Sequence, residues 1–250
     1  MADGGEVPDL AGADTAPAGL PDYLERHYRW AYLRPASLRV FDRTAMASAI
    51  LWGQYRRLTD AALAEVAPGD RVLQVACVYG DLSQRLAARL GPHGALDVID
   101  IAPIQVANTA RKLRRFSNAR VHQADAADPG ASGHDVAYDA ILVFFLLHEL
   151  PPAHKRRAVD AALARVEPGG RAVFVDYARP AAWNPLRPVM GAVFRLLEPF
   201  AAEMWRTPIA SLASASGHFR WRERRCLGGL YQVVVAERPR NLSRRAASIG

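Results

Sequence analysis

Five short strand-like runs, four of them apolar, separated by segments of helical spacing, constrain this chain more than any other feature. Asp70 to Ala76 (DRVLQVA) follows the turn pair Pro68-Gly69 and reads as a buried strand. Ala95 to Ile101 (ALDVIDI), Arg120 to Gln123, Tyr138 to Phe144 (YDAILVF) and Arg171 to Asp176 (RAVFVD) read the same way. Leu82 to Leu90, Pro103 to Leu113 and about Ala153 to Val166 carry helical spacing between them, and Pro103 suits a first helical turn. Near-continuous apolar strands alternating with helices predict a doubly wound, mostly parallel α/β sheet covered on both faces. The C-terminal end departs from this alternation. Phe219 to Cys226 and Leu230 to Ala236 flank Gly228-Gly229, which signals an antiparallel hairpin.

The 250 residues (27.3 kDa) suit one large domain, expected over 21–238. Residues 1–20 are rich in Gly, Ala, Pro and Asp and predict a disordered lead-in; 239–250 predict a flexible tail. Residues 21–66 form a helical region with an aromatic cluster (Tyr23, Tyr28, Trp30, Tyr32, then Phe41, Trp52 and Tyr55), broken at Pro35. Residues 183–206 do not fit the sheet. Leu186, Val189, Met190, Val193, Phe194, Leu197, Phe200 and Met204 recur at helical spacing, with Pro188 early and Pro199 ending or kinking the helix. That segment is either a helix packed on the sheet or an apolar lid facing the substrate or a membrane. Two cysteines make no disulfide framework, and Met1 to Pro21 lacks the basic start and apolar run of a signal peptide. With no apolar run of ~20 residues to cross a membrane, the expected location is cytoplasmic. The net charge of +7 favours anionic partners. Arg220, Arg222 and Arg224 alternate on a strand as a solvated edge guard, and no aromatic-basic motif points to nucleic acid.

In a doubly wound sheet, ligands bind outside the carboxyl ends of the strands. The first such loop reads Gln74-Val75-Ala76-Cys77-Val78-Tyr79-Gly80-Asp81. The usual S-adenosylmethionine (SAM) loop runs acidic-x-Gly-x-Gly-x-Gly, because glycines let the backbone approach the ligand. Here Gln74, Ala76 and Val78 replace the acid and the first two glycines, and Gly80 remains. Asp100 ends the second strand, placed to accept hydrogen bonds from ribose hydroxyls, with Asp97 as the competing carboxylate. Asp125 follows the third strand, where such enzymes contact the adenine amino group together with the next backbone amide, Ala126. Asp128 reads as a loop residue. After the fourth strand come Phe144 to Pro151, including His148 and Glu149, and after the fifth Asp176 and Tyr177. His148 and Glu149 both face inward only in an irregular turn. His148 is a candidate base or metal ligand, and His148, Glu149 and Asp176 are candidates for holding Mn²⁺ or Mg²⁺. Cys77 reads as a small apolar residue at a strand end.

Tyr79-Gly80-Asp81-Leu82-Ser83, Asp97 to Gln105, Phe144 to Glu149 and Val175-Asp176-Tyr177 together resemble the RquA family of rhodoquinone biosynthesis. So do Pro21 to Leu24, Trp30 to Tyr32, Ile50 to Gly53 and Pro185 to Pro188, so that the likeness runs from about Pro21 to Phe200. More broadly the chain is similar to ubiquinone and menaquinone methyltransferases. The resemblance implies a class I SAM-dependent methyltransferase fold, Rossmann-like, and an unusual reaction. Ubiquinone becomes rhodoquinone when a ring methoxy group is replaced by an amino group, with SAM as amino donor and Mn²⁺ assisting. It implies a cofactor site of Ala76, Val78, Tyr79, Gly80, Asp100, Ile101, Asp125, Ala126 and Phe144. Tyr79, His148, Glu149, Asp176 and Tyr177 would serve the chemistry, with Val78 and Tyr79 reshaping the cradle. A quinone that stays in the bilayer implies a protein on the inner face of the cytoplasmic membrane. A methyltransferase acting on a quinone or phenol, a non-catalytic SAM binder and an RNA-binding relative are the alternatives.

Overall fold

The computed structural model describes residues 44–128 and 136–240. The expected lead-in, the aromatic residues from Tyr23 to Phe41 and the tail from 241 lie outside the described residues. Helices α1 (Thr44–Ile50) and α2 (Tyr55–Leu63) precede β1 (Arg71–Val75), α3 (Leu82–Leu90), β2 (Ala95–Asp100), α4 (Pro103–Leu113), β3 (Ala119–Gln123) and β4 (Tyr138–Phe144). After these come α5 (Pro152–Ala164), β5 (Val166–Tyr177), α6 (Leu186–Leu197), β6 (Arg220–Cys226) and β7 (Tyr231–Glu237).

The seven strands form one sheet in the order β3-β2-β1-β4-β5-β7-β6. The first five are parallel, and β7 runs antiparallel between β5 and β6. The expected parallel sheet with a C-terminal hairpin is therefore the fold. Strands read as continuous apolar runs because both faces are covered: Val72, Val98, Ile141, Leu142, Val173 and Phe174 are fully buried. Emptying one such position, as in Phe174→Ala, costs ~3–5 kcal/mol because the close-packed surroundings collapse only partly.

Two boundaries differ from expectation. β5 starts at Val166 rather than Arg171. Pro168-Gly169-Gly170 does not end the strand, because the pairing with β4 shifts register between Tyr138 and Ala140 and absorbs the extra residues. The 183–206 segment holds a helix only over Leu186–Leu197; Pro199 ends it, and a 3-10 turn follows at Ala201–Trp205.

The strand registers decide where a site can form. Val75 pairs with Ile99 on one side and Val143 on the other, and Phe144 pairs with Val175. The loops after β1, β2, β4 and β5 therefore emerge at one edge. Chain order reverses between β1 and β4, which opens a crevice there.

Candidate active site

The crevice is lined by Ala76 and Cys77 after β1, Asp100 to Ala102 after β2, Gln105 of α4, Ala124 to Ala126 after β3, and Phe145, Leu146, Glu149 and Leu150 after β4. Of the sequence candidates, Ala76, Asp100, Ile101, Asp125, Ala126 and Glu149 meet here. Val78, Tyr79, Gly80 and Phe144 are not part of the lining. Phe144 is fully buried in the core, and its neighbour Phe145 takes the expected place with φ +51°. The Tyr79 hydroxyl accepts a hydrogen bond from Gln105 Nε2 at 3.2 Å. The free space is narrow, about 70 Å³, well below the ~300 Å³ and more of pockets that bury a drug-sized ligand.

Ala76 keeps the backbone that its replaced glycine would adopt, with φ +74°. A left-handed alanine costs ~1–2 kcal/mol, so the neighbourhood must hold it. Ala76 N–H donates to the Ile99 carbonyl (2.9 Å), and the Ala76 carbonyl accepts from the buried Gln74 Nε2 (2.9 Å). Gln74 thus stands where the acid of the usual motif would be and pins the turn. Gly80 (φ +91°) sits beneath Tyr55, whose hydroxyl lies 2.4 Å from where a Cβ would be. That hydroxyl accepts from Asp81 N–H (2.8 Å) and Leu82 N–H (3.0 Å) and lies 3.1 Å from Asp81 Oδ1. Tyr55 therefore caps α3 from α2, a long-range contact with no local sequence signal.

Asp100 accepts hydrogen bonds from Cys77 N–H (2.7 Å) on one carboxylate oxygen and Ala102 N–H (2.8 Å) on the other. Burial pushes its carboxyl up to about 6 against those bonds. The competing Asp97 is structural: it is buried, accepts from the Tyr138 hydroxyl at 3.1 Å, and lies near Arg71 and His122. Asp125 Oδ1 accepts from Ala127 N–H at 2.8 Å. Cys77 lines the crevice, and burial followed by the Asp100 charge raises its thiol.

A second centre adjoins the crevice. β4 leads into a 3-10 turn, Leu147–Glu149, the irregular turn that lets His148 and Glu149 both serve one place. His148 is buried, with Nδ1 2.9 Å from Asp176 Oδ1 and its backbone N–H 3.3 Å from Asp176 Oδ2. Nε2 faces Glu149 Oε1 at 3.7 Å and Glu198 Oε2 at 3.6 Å. Burial alone would lower the imidazole, but Asp176, then Glu198 and Glu149, outweigh it and raise it to about 9. Burial and the Asp176 charge push the Glu198 carboxyl up, while His148 opposes them. At neutral pH the ring is therefore an imidazolium. In that form the ring can donate a proton; as a base, the other role that the sequence allows, it would first have to lose one.

The expected metal set of His148, Glu149 and Asp176 does not converge. Asp176 holds one ring nitrogen while Glu149 faces the other, so no single point lies among the three. Among the described residues no group of three or more His, Cys, Asp or Glu is arranged to hold a metal ion. The cation that these carboxylates face is the imidazolium.

Aromatic rings wall the histidine. Tyr177 meets it edge-on at 4.9 Å and Phe145 at 5.9 Å; Tyr231 stacks on Tyr177 at 5.6 Å, and Phe194 of α6 meets Tyr177 at 5.0 Å. Burial keeps both tyrosine hydroxyls protonated. Glu198 was missed from sequence, since an acid before Pro199 looks like an exposed helix end. It is brought in because the next turn is anchored by buried Lys155, whose Nζ bonds the Phe200 carbonyl (2.6 Å) and Glu203 Oε2 (2.8 Å).

A methyltransferase-domain family model matches residues 72–170. Together with the sheet order, that match goes with the class I SAM-dependent methyltransferase fold, Rossmann-like. The chain has that fold. It is 32% identical over 128 residues to the ubiquinone/menaquinone biosynthesis C-methyltransferase UbiE of Ectopseudomonas mendocina, covering 50% of this chain and 47% of that protein. It is 25% identical to the demethylmenaquinone methyltransferase of Desulfitobacterium hafniense, covering 70% of this chain and 76% of the relative. The chain thus spans about half the length of the UbiE relatives it matches. Among solved structures, the N-methyltransferase NodS of Bradyrhizobium japonicum in complex with S-adenosyl-l-homocysteine shares the fold. Its TM-score is 0.51 at 16% identity, over 84% of this chain and 96% of NodS. In this domain the crevice at the β1/β4 switch and the His148 centre share Phe145 and Glu149.

Proposed function

We propose that the domain binds SAM in the β1/β4 crevice and uses it to modify a quinone ring held against His148. The observation that carries this reading is the buried His148, held by Asp176 at 2.9 Å and walled by aromatic rings, next in sequence to Glu149 of the crevice lining. The residues fit SAM: Asp100 is a carboxylate on the crevice at the carboxyl end of β2, each oxygen keeping a second lone pair for the hydroxyls of a ribose. Bound SAM supplies a transferable methyl or amino group. The His148 imidazolium would donate its Nε2 proton to a quinone oxygen as charge develops there, once a substrate comes between it and Glu149 and Glu198, while Asp176 orients the ring from Nδ1. Phe145, which lines the crevice and packs edge-on against Tyr177, offers its ring to a flat substrate.

The finer reading is conversion of ubiquinone to rhodoquinone. Held against Asp100, SAM would supply the amino nitrogen that takes the place of a ring methoxy group, its N–Cα bond being cleaved with water to free the aminoquinone, and His148 would donate the proton with which the methoxy group leaves as methanol. Its support is the departure of Ala76-Cys77-Val78 from the glycine loop, together with the family resemblance. The second reading is C-methylation of a quinone, supported by the names of the curated relatives. Both place the enzyme at a bilayer, where a quinone with an isoprenoid tail resides. Incubation of the protein and Mn²⁺ with ubiquinone and its demethylated precursors, using SAM labelled with ¹⁵N at the amino group and ¹³C at the methyl, separates them. An aminoquinone carrying ¹⁵N supports the first reading. A product carrying ¹³C supports the second. No labelled quinone despite SAM binding would overturn both.

A further inference from the structure

A second cavity, about 580 Å³, opens beside α6 and is lined by Arg179, Arg187, Arg195 and Arg206 over a floor that includes Phe194 and Trp205. Four guanidinium groups around one cavity repel one another unless an anion sits among them. No carboxylate pairs with any of the four among the described residues, although Glu198 and Glu203 lie on the same segment: these face His148 and Lys155 instead. By contrast, Arg222 and Arg225 on β6 are paired with Glu65, Glu237 and Glu223.

The rest of α6 tells what kind of anion fits. Its residues Val189, Leu196 and Leu197, with Trp183 just before it, are exposed, and Leu196 and Trp183 show about three quarters of their surface (75% and 76%). Met190 and Phe194 are its buried anchors. An exposed apolar flank, a tryptophan and flanking arginines are the parts of a helix that lies in a bilayer interface. Guanidinium forks match phosphate oxygens in two-point contacts.

We propose that this cavity binds the phosphate headgroup of an anionic phospholipid, seating α6 in the outer acyl layer with Val189, Leu196 and Leu197 inserted. The inference deepens the membrane part of the reading above and names the surface and lipid class. It also gives that surface a connection to the site: Trp205, Phe194, Tyr177 and His148 form a continuous series of ring contacts leading inward from the cavity.

The test is cosedimentation of the full chain with vesicles of phosphatidylcholine alone or with 30% phosphatidylglycerol, at low and high salt. The expected result is binding to the anionic vesicles at least tenfold tighter than to the neutral ones, weakened by salt. The double variant Arg187→Gln/Arg195→Gln should lose at least tenfold in affinity, while Arg171→Gln/Arg220→Gln, at a separate cavity, binds like the parent. Leu196→Ser/Leu197→Ser, a surface change with little effect on folding, should also weaken binding. Equal binding to both vesicle types, or equal losses in the two arginine variants, would overturn the proposal. So would absence of vesicle binding while inorganic phosphate protects Arg187 and Arg195 from chemical modification, which would make the ligand a free phosphate. Product formation on detergent-dispersed quinone, measured separately, leaves the reaction standing if the vesicle result fails.

Discussion

Asp176→Asn removes the carboxylate that does most to hold the His148 charge, and the consequence follows from proton linkage. His148 rises from an ordinary 6.5 to about 9 in the folded chain. At ~1.4 kcal/mol per pH unit, the charged ring contributes about 3 kcal/mol to folding. Because the folded value lies above the unfolded one, this stability is fully present below pH 6.5 and is lost as pH rises through 9. Asp176→Asn should therefore cost about 3 kcal/mol at pH 6, in the range for one half of a buried ion pair. The difference should shrink between pH 7 and 9.5, since the wild type then holds Asp176 without its cation. Urea unfolding of both proteins at pH 6, 7.5 and 9.5 reads this directly. Comparing variant with wild type cancels the added loss above pH 9 from the Cys77 thiol, whose raised value is shared by both. A cost for Asp176→Asn that does not change with pH, or a His148 ring that titrates near 6.5 by NMR, would refute the reasoning.

Three further outcomes are expected. Ala76→Gly should raise the urea midpoint, by up to ~1 kcal/mol, because glycine relieves the left-handed strain at φ +74° for a smaller entropic cost; a lowered midpoint would contradict the strain. Gly80→Ala should destabilise by ~2 kcal/mol or more through the Tyr55 contact and positive φ, while Tyr55→Phe should cost ~1–2 kcal/mol by uncapping α3, both read by thermal unfolding. Asp100→Asn should weaken S-adenosylhomocysteine binding at least ~10-fold in calorimetry. The wild-type affinity should fall as pH drops below about 6, where the carboxyl takes up its proton; an affinity independent of pH between 5 and 7 would count against Asp100 as the ribose partner.

Much of this organisation is legible in the sequence, for identifiable reasons. The buried parallel strands β1, β2, β4 and β5 could be read from their apolar runs, and the β6–β7 hairpin from its Gly-Gly turn, while β3, polar and half-buried, carries the weakest signal. Asp100 and Asp125 could be named because the carboxyl end of a strand is a place fixed by topology, and the structure puts both on the crevice. Contacts set by tertiary packing were not legible. Glu198 reaches His148 only because Lys155 and Glu203 fold the chain back after Pro199. Tyr55 caps a helix 26 residues downstream. Ala76 adopts a glycine's backbone, which no propensity would suggest, and the His148, Glu149 and Asp176 set separates across the two faces of one ring.

The central claim is that His148 is the reaction centre beside a SAM crevice, and the most direct measurement is a single turnover of His148→Gln with labelled SAM and ubiquinone. Calorimetry with S-adenosylhomocysteine first establishes that the variant is folded and binds as the wild type does. The account predicts unchanged binding and labelled product formed at least ~100-fold more slowly, the loss expected on removing a proton donor. Product formed at the wild-type rate would contradict it.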